Sequence, residues 1–154
     1  MNPRDEVHPN HHDIAVLLIR VNICANKMSG CIMLGAAYTA EACNANLSFA
    51  ICKDTAVVLG RTVAHEIGHL MGCRYDNGVE TDCTPLTDDV NAYVMSPRVQ
   101  MGTSSWSSCS RNSMHKFLEN CRLRAGRTPS SQLRITANAT WSHIRRKCPV
   151  RSAD

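Results

Sequence analysis

The segment 62–72, near the middle of this 154-residue chain, constrains the fold more than any other part of the sequence. It contains His65-Glu66-Ile-Gly-His69 within a longer apolar pattern that predicts a helix over residues 56–71. Residues four positions apart lie on one helical face, so both histidines point the same way. Glu66 lies between this face and the apolar face of the helix. The apolar residues of the other face are predicted to meet the core: Ala56, Leu59, Val63, Ile67 and Leu70. The helix is therefore not expected to bury its histidines in the apolar core.

Two imidazoles at this spacing can bind one Zn²⁺ ion, and Glu66 can reach a water in the open position of the metal. Zinc lowers the pKa of that water, so that Glu66 can take its proton and return it to the leaving amine of a cleaved peptide. Because the motif alone also arises by chance, the residues around it matter. Gly72 lies three positions beyond His69, and Met95 lies downstream in the apolar segment 93–97, as in the metzincin pattern. Met95 is predicted to underlie the site, with an ordinary core methionine as the alternative.

The nine cysteines predict an oxidising compartment, because disulfides persist in secreted proteins and are rare in the cytosol. Two glycosylation sequons, at Asn46 and Asn138, agree with secretion. The first apolar run is too short for a signal peptide or a membrane span. Secretion without an export signal suggests that an N-terminal part of the natural product is absent.

Charge is unevenly distributed along the chain. Residues 122–154 hold eight basic and one acidic side chain, whereas the rest of the chain is net acidic. Such a basic tail can contact acidic polysaccharide or a membrane surface, although a solvated and flexible end is the simpler interpretation. No nucleic-acid motif is present, so we expect no nucleic-acid partner.

The remaining pattern predicts few regular elements. The apolar run at residues 14–19 is typical of a buried strand in a parallel sheet, and residues 47–52 predict a shorter strand at a sheet edge. Residues 22–46 and 73–92 are rich in loop-forming side chains, and residues 113–123 predict a last helix.

Three stretches carry a family resemblance. Residues 12–24 resemble the strand that precedes the active-site helix in ADAMTS proteases, and residues 62–72 are similar to that helix almost residue for residue. Residues 106–121, with Trp106, Cys109 and Cys121, resemble the end of their catalytic domain. The likeness includes the salivary reprolysins of ticks and covers residues 11 to about 124. It implies an α/β metzincin (zincin-like) catalytic domain with a mostly parallel sheet and an active-site helix.

The resemblance divides the chain into a polar stub (1–10), a partial metalloprotease catalytic domain (11–124) and a basic tail or following segment (125–154). The resemblance implies that the family domain begins with further strands and helices, which we expect to be missing from this chain. The strand at 14–19 is therefore expected to have no neighbours and an uncovered core face.

The second departure concerns the metal. The family's third zinc ligand is a histidine at the position of Tyr75 in this sequence. Tyr75 could bind zinc as a phenolate, and Asp76 beside it is the alternative oxygen donor. A catalytic zinc normally has three protein ligands, so this replacement bears directly on metal affinity and activity.

Position by position, the resemblance implies the disulfides Cys24–Cys31, Cys43–Cys121 and Cys83–Cys109, with the partner of Cys52 in the absent N-terminal part. Cys73 and Cys148 have no counterpart in the family. It also implies that residues 96–101 wall the pocket for the residue after the cut bond. A strand near residues 49–52 would pair with an extended substrate.

The resulting hypothesis is a secreted zinc metalloendopeptidase that cleaves extracellular proteins or peptides. His65 and His69 would hold Zn²⁺, Glu66 would act as the general base, and Tyr75 or Asp76 would complete the site. The alternative is a non-catalytic secreted protein, or an inactive fragment of such a protease, in which the third ligand has been substituted.

Overall fold

The structure is a computed structural model that describes residues 12–24, 30–44, 46–77, 93–98 and 105–124. The predicted stub 1–10, most of the polar loop (78–92), residues 99–101 of the pocket wall and the basic tail 125–154 lie outside them. The described chain forms three strands and two helices: β1 (Ala15–Ile19), β2 (Gly35–Ala37), β3 (Phe49–Lys53), α1 (Leu59–Leu70) and α2 (Ser108–Arg124). The α/β class is confirmed.

The three strands form one mixed sheet in the order β1-β3-β2. β1 runs parallel to β3, from the pair Ala15–Phe49 to the pair Ile19–Lys53. β2 runs antiparallel to β3 on its other side. Two expectations are therefore wrong: the first strand has a hydrogen-bonded neighbour, and the strand at residues 49–53 lies in the centre of the sheet. Within the described chain, the edge strands are β1 and β2.

β1 is much less buried than its apolar sequence predicted. Leu17 is 59% exposed and Leu18 is 51% exposed. An apolar run is buried only where other elements cover it, and among the described residues β1 is hydrogen-bonded to a neighbouring strand along a single edge. The prediction of a parallel strand is confirmed, whereas the prediction of a buried one is wrong.

Helix α1 packs on the sheet with its motif side. His65 is only 6% exposed and Glu66 only 5% exposed, whereas Val63 is half-buried and Ala56 lies exposed before the helix begins. Leu70 is fully buried, as predicted. The expectation that the histidine face avoids the interior is wrong for His65, because β2 and the segment 93–96 cover that side of the helix.

Backbone hydrogen bonds attach the loop after β2 to the end of α1. The amide of Ala40 donates to the carbonyl of His69 at 2.9 Å, and the amide of Ala42 donates to the carbonyl of Leu70 at 3.0 Å. Gly72 ends the helix at a φ of +87°, in the left-handed region that favours glycine. These contacts fix β2 beside the helical motif.

Helix α2 begins at Ser108, five residues before the predicted start. The hydroxyl of Ser107 accepts a hydrogen bond from the amide of Ser110 at 2.9 Å and so caps the helix. The apolar periodicity used for the prediction begins only after this first turn. Within the described ranges, neither helix is both long and apolar enough to span a bilayer.

Two predicted disulfides are confirmed. Cys24–Cys31 closes a short loop after β1, and Cys43–Cys121 joins the loop after β2 to helix α2. Cys109 is also disulfide-bonded, and its predicted partner Cys83 lies outside the described residues. Cys52 and Cys73 are buried free thiols, and burial is the main cause that raises their pKa, to about 11 and about 12.

Candidate metal centre and active site

Three aromatic rings gather at the motif. The ring centroids of His65 and His69 are 4.7 Å apart and lie nearly perpendicular to each other. The ring of Tyr75 is 5.1 Å from that of His69 and 5.6 Å from that of His65. Helix α1 supplies the first two rings, and the turn at Gly72 brings the chain back to supply the third.

Hydrogen bonds set the tautomer of both histidines. Nδ1 of His65 is 2.7 Å from the carbonyl oxygen of Val94, and Nδ1 of His69 is 2.8 Å from the carbonyl oxygen of Cys73. A carbonyl oxygen can only accept, so each Nδ1 carries the proton. In the neutral imidazole, Nε2 is then the unprotonated nitrogen, which is the state that metal binding requires.

His65 resists protonation. Burial is the main cause that lowers its pKa to about 4, and the neighbouring His69 and Arg61 lower it further. The hydrogen bond to Val94 acts in the opposite direction and is outweighed. At neutral pH this imidazole is neutral, as a metal ligand must be.

The side chain of Glu66, which projects from α1, packs closely against β2. A Cβ atom placed on Gly35 would lie 2.7 Å from Cγ of Glu66, closer than real contacts allow. Burial raises the pKa of the Glu66 carboxyl to about 7. A carboxyl whose pKa is raised in this way suits proton transfer near neutral pH.

Asp76, the alternative third ligand, is hydrogen-bonded to the start of helix α2. Its carboxylate is fully buried and accepts hydrogen bonds from the hydroxyls of Ser107, at 2.6 Å, and Ser110, at 3.1 Å. Its amide donates to the carbonyl of Met95 at 2.9 Å. Asp76 thus joins the turn after α1 to the start of α2 and to the segment around Met95.

Met95 lies inside the molecule, next to the motif helix. It is fully buried, and its sulfur contacts the space beside Gly68, the residue immediately before His69. A Cβ atom on Gly68 would also lie 3.0 Å from the ring of Trp106. Gly68 therefore allows Met95 and Trp106 to approach the helix backbone between the two histidines.

A cleft of about 340 Å³ lies against this cluster. It is lined by β2, by its neighbours Met33 and Thr39, and by Glu66, His69, Arg74 and Tyr75. One of its walls is thus an edge strand of the described sheet, and the motif carboxylate and one motif histidine lie on the same cavity.

The chemistry of the donors fits a zinc ion in part. The two imidazoles have the required tautomer, and the third ring at the cluster belongs to Tyr75 instead of a histidine. Within the described ranges, no group of three His, Cys, Asp or Glu side chains is placed to hold a metal. Among the described residues, the phenol of Tyr75 is the oxygen donor whose ring lies beside both imidazoles.

The sequence profile described as "Reprolysin (M12B) family zinc metalloprotease" matches residues 3–124. This chain belongs to the reprolysin family. The match includes the motif helix, the turn with Tyr75, and helix α2, and it confirms the resemblance noted from the sequence.

Named relatives come from the same group. "A disintegrin and metalloproteinase with thrombospondin motifs 12" of Mus musculus is 36% identical over 124 residues, which are 79% of this chain and 8% of the relative. "A disintegrin and metalloproteinase with thrombospondin motifs 7" of Homo sapiens is 37% identical over 77% of this chain and 7% of its own length. The gon-1 protein of Caenorhabditis elegans is 33% identical over 79% of this chain. This reprolysin chain thus spans less than a tenth of the length of each of these three relatives.

Gly35 and Gly68 are site residues that sequence reasoning missed in this reprolysin. Both make room for a functional neighbour, Gly35 for Glu66 and Gly68 for Met95. A glycine in a strand interior often marks a close approach, but Gly35 lay in a region predicted as loop. Gly68 was seen only as one of the variable positions of the motif.

We expect Gly35→Ala to reduce peptide hydrolysis while zinc binding remains, since the three atoms nearest to the added methyl group all belong to Glu66, whose carboxylate it would displace. Hydrolysis should fall by about 10-fold to 100-fold, because a misplaced catalytic group loses much of its effect. Peptidase assays and zinc titration of the purified variant test this. Gly60→Ala is the matched control, since a Cβ atom on Gly60 meets no atom within 4 Å. Equal activity of the two variants would contradict the prediction.

Proposed function

We propose that this reprolysin chain is the zinc-binding core of a metalloendopeptidase that cleaves extended polypeptides. The observation that carries the proposal is the juxtaposition of Glu66 with two histidines whose Nδ1 atoms are held by backbone carbonyls. A ligating histidine almost always donates its other ring N–H to a carbonyl or carboxylate, and both histidines have such a partner. A buried carboxyl beside them is suited to move a proton.

Each residue has a distinct part in the proposed reaction. His65 and His69 would hold the ion, and a bound Zn²⁺ would supply a Lewis acid that polarises a peptide carbonyl and acidifies water. Glu66 accepts a proton from the attacking water and then donates it to the nitrogen of the leaving amine. Because Glu66 is nearly excluded from solvent, its proton exchanges with the reactants in the cleft in preference to bulk water.

Tyr75 is the better candidate for the third ligand. Its ring lies within 6 Å of both imidazole rings and lines the same cleft. The carboxylate of Asp76 already accepts hydrogen bonds from two serine hydroxyls and is fully buried. Moving it to a metal would break both bonds, so we assign Asp76 to positioning the turn that carries Tyr75.

The substrate is proposed to pair with β2. This strand, Gly35–Ala37, lines the cleft and is hydrogen-bonded to β3 on one side within the described chain. An extended peptide can add to such an edge through main-chain hydrogen bonds. The small side chains of β2 leave the approach open. This replaces the earlier expectation that residues 49–52 receive the substrate, because those residues lie in the centre of the sheet.

We further propose that the protein acts in the extracellular space. Disulfides such as Cys24–Cys31 and Cys43–Cys121 persist in oxidising compartments. Extracellular proteins or peptides would then be its substrates. We also propose that the basic residues beyond 121 contact acidic polysaccharide. This proposal rests on their charge alone.

A peptidase assay with a zinc chelator tests the proposal. The purified chain, loaded with zinc, should cleave an unstructured polypeptide, and removal of the metal should stop cleavage until zinc is restored. One observation favours the second candidate, a non-catalytic zinc-binding protein: the phenol of Tyr75 stands where the family has an imidazole. Stoichiometric zinc binding without cleavage of any peptide in a broad library would support that candidate.

A further inference from the structure

The cleft contains one basic side chain whose role the proposed reaction does not explain. Arg74 lines it together with β2, Glu66, His69 and Tyr75. Glu66 is the other charged side chain on the cavity, and the proposed proton transfer already uses it. The remaining side chains of the wall are small, apolar or neutral. A guanidinium in this setting carries a fixed positive charge into the space that a substrate would occupy.

The backbone on both sides of Arg74 is anchored. The amide of Cys73 donates to the carbonyl of Gly68 at 2.9 Å, and the carbonyl of Cys73 accepts from His69. Two residues further on, Asp76 is held by Ser107 and Ser110. The side chain of Arg74 itself is exposed. Its backbone is therefore fixed next to Tyr75, at the wall of the cleft.

No acidic partner for this side chain is found in the described part of the chain. The ion pairs there join Arg20 to Asp54 and His115 to Glu119. A solvated guanidinium at the wall of an open cleft is available for a carboxylate brought by a ligand.

We propose that Arg74 is a specificity-determining residue that selects polypeptide substrates with an aspartate or glutamate close to the cut bond. The inference rests on the proposed function, because it places the substrate in the same cleft and along β2. An acidic side chain of a strand paired with β2 would meet the guanidinium, whereas a basic one would be repelled. Selection by charge in a half-open site is modest, so we expect roughly a threefold preference over the matching neutral amide.

The test uses fluorescent peptides of one neutral sequence in which a single Glu is moved through successive positions, each compared with its Gln counterpart. Binding is measured by fluorescence anisotropy on the zinc-loaded full chain carrying Glu66→Gln, and cleavage is measured on the unchanged chain. At one or two positions the Glu peptide should bind about threefold more tightly, and the difference should shrink as salt is added. Arg74→Gln should remove the preference, and Arg74→Lys should retain part of it.

Lys116→Gln is the matched control, because it removes one positive charge from an exposed position on α2, away from the cleft lining. It should leave the preference intact. Equal binding of Glu and Gln peptides at every position, or a preference that survives Arg74→Gln, would overturn the inference. Charge-selective binding without cleavage would support the role of Arg74 and contradict the proposed endopeptidase activity. Cleavage without charge preference would support the endopeptidase activity and contradict the role of Arg74. Absence of binding by every peptide would overturn both proposals.

Discussion

Replacing Glu66 with Gln should lower the rate of peptide hydrolysis by about 10²-fold to 10⁴-fold, the range expected for loss of a general base. Glutamine has nearly the same shape, so the packing against Gly35 should remain, but its amide cannot accept the proton of water. Zinc should stay bound, because the histidines and not Glu66 are the proposed ligands. Steady-state kinetics on a peptide substrate, combined with metal analysis of the same preparation, measures both properties.

Two comparisons make this result decisive. Glu119→Gln changes an exposed carboxylate on α2 in the same way and should leave hydrolysis unaffected. His69→Ala should remove both metal and activity. If Glu66→Gln lost zinc in proportion to activity, Glu66 would be a ligand and the assignment of the base would be wrong. If it kept full activity, the proton would have to move through another group.

The part of the site that could be predicted from sequence is the part fixed by helical spacing. Helix α1 alone brings together His65, Glu66 and His69, because all three lie within about one helical turn. Their proximity does not depend on the rest of the fold. The structure brings them together as predicted. It also adds the backbone partners of the histidines, the carbonyls of Val94 and Cys73, which no side-chain pattern can indicate.

The sheet was harder to predict because its order depends on contacts between distant segments. β2 has the sequence Gly-Ala-Ala and carries none of the branched or aromatic side chains that indicate a strand. Its pairing with β3 makes β2, and not residues 49–53, the edge beside the cleft. Burial was predicted wrongly for two elements: the apolar run of β1 is partly exposed, and the polar motif of α1 is buried.

Asp76 illustrates a related limit. From sequence it was a second oxygen donor beside Tyr75, with nothing to separate the two. Its real partners, Ser107 and Ser110, lie more than 30 positions away. Their hydroxyls became relevant only once α2 was found to begin at Ser108, earlier than the apolar periodicity had indicated. Long-range polar contacts of this kind leave no local pattern.

The second large effect is expected at Tyr75. Tyr75→Phe should weaken zinc binding by about 100-fold, because it removes the only oxygen donor proposed for the third position, while folding stays intact. Tyr75→His should strengthen binding beyond the unchanged chain by restoring a three-imidazole site. Competition with a chromogenic chelator gives the affinities. Zinc should also produce a tyrosinate difference spectrum that Tyr75→Phe abolishes and that Tyr38→Phe, an exposed tyrosine outside the cleft lining, retains.

Asp76→Asn completes the experiment, because it separates ligation from positioning. The asparagine would meet two serine hydroxyls with a weaker acceptor, so the free energy of unfolding should fall by roughly 2–4 kcal/mol. Zinc affinity of the folded variant should fall much less than in Tyr75→Phe, as seen by combining thermal unfolding with metal titration. A stable Asp76→Asn variant that loses zinc would transfer the ligand role to Asp76. If neither variant loses zinc, two histidines and solvent hold the ion, and the non-catalytic interpretation becomes the stronger one.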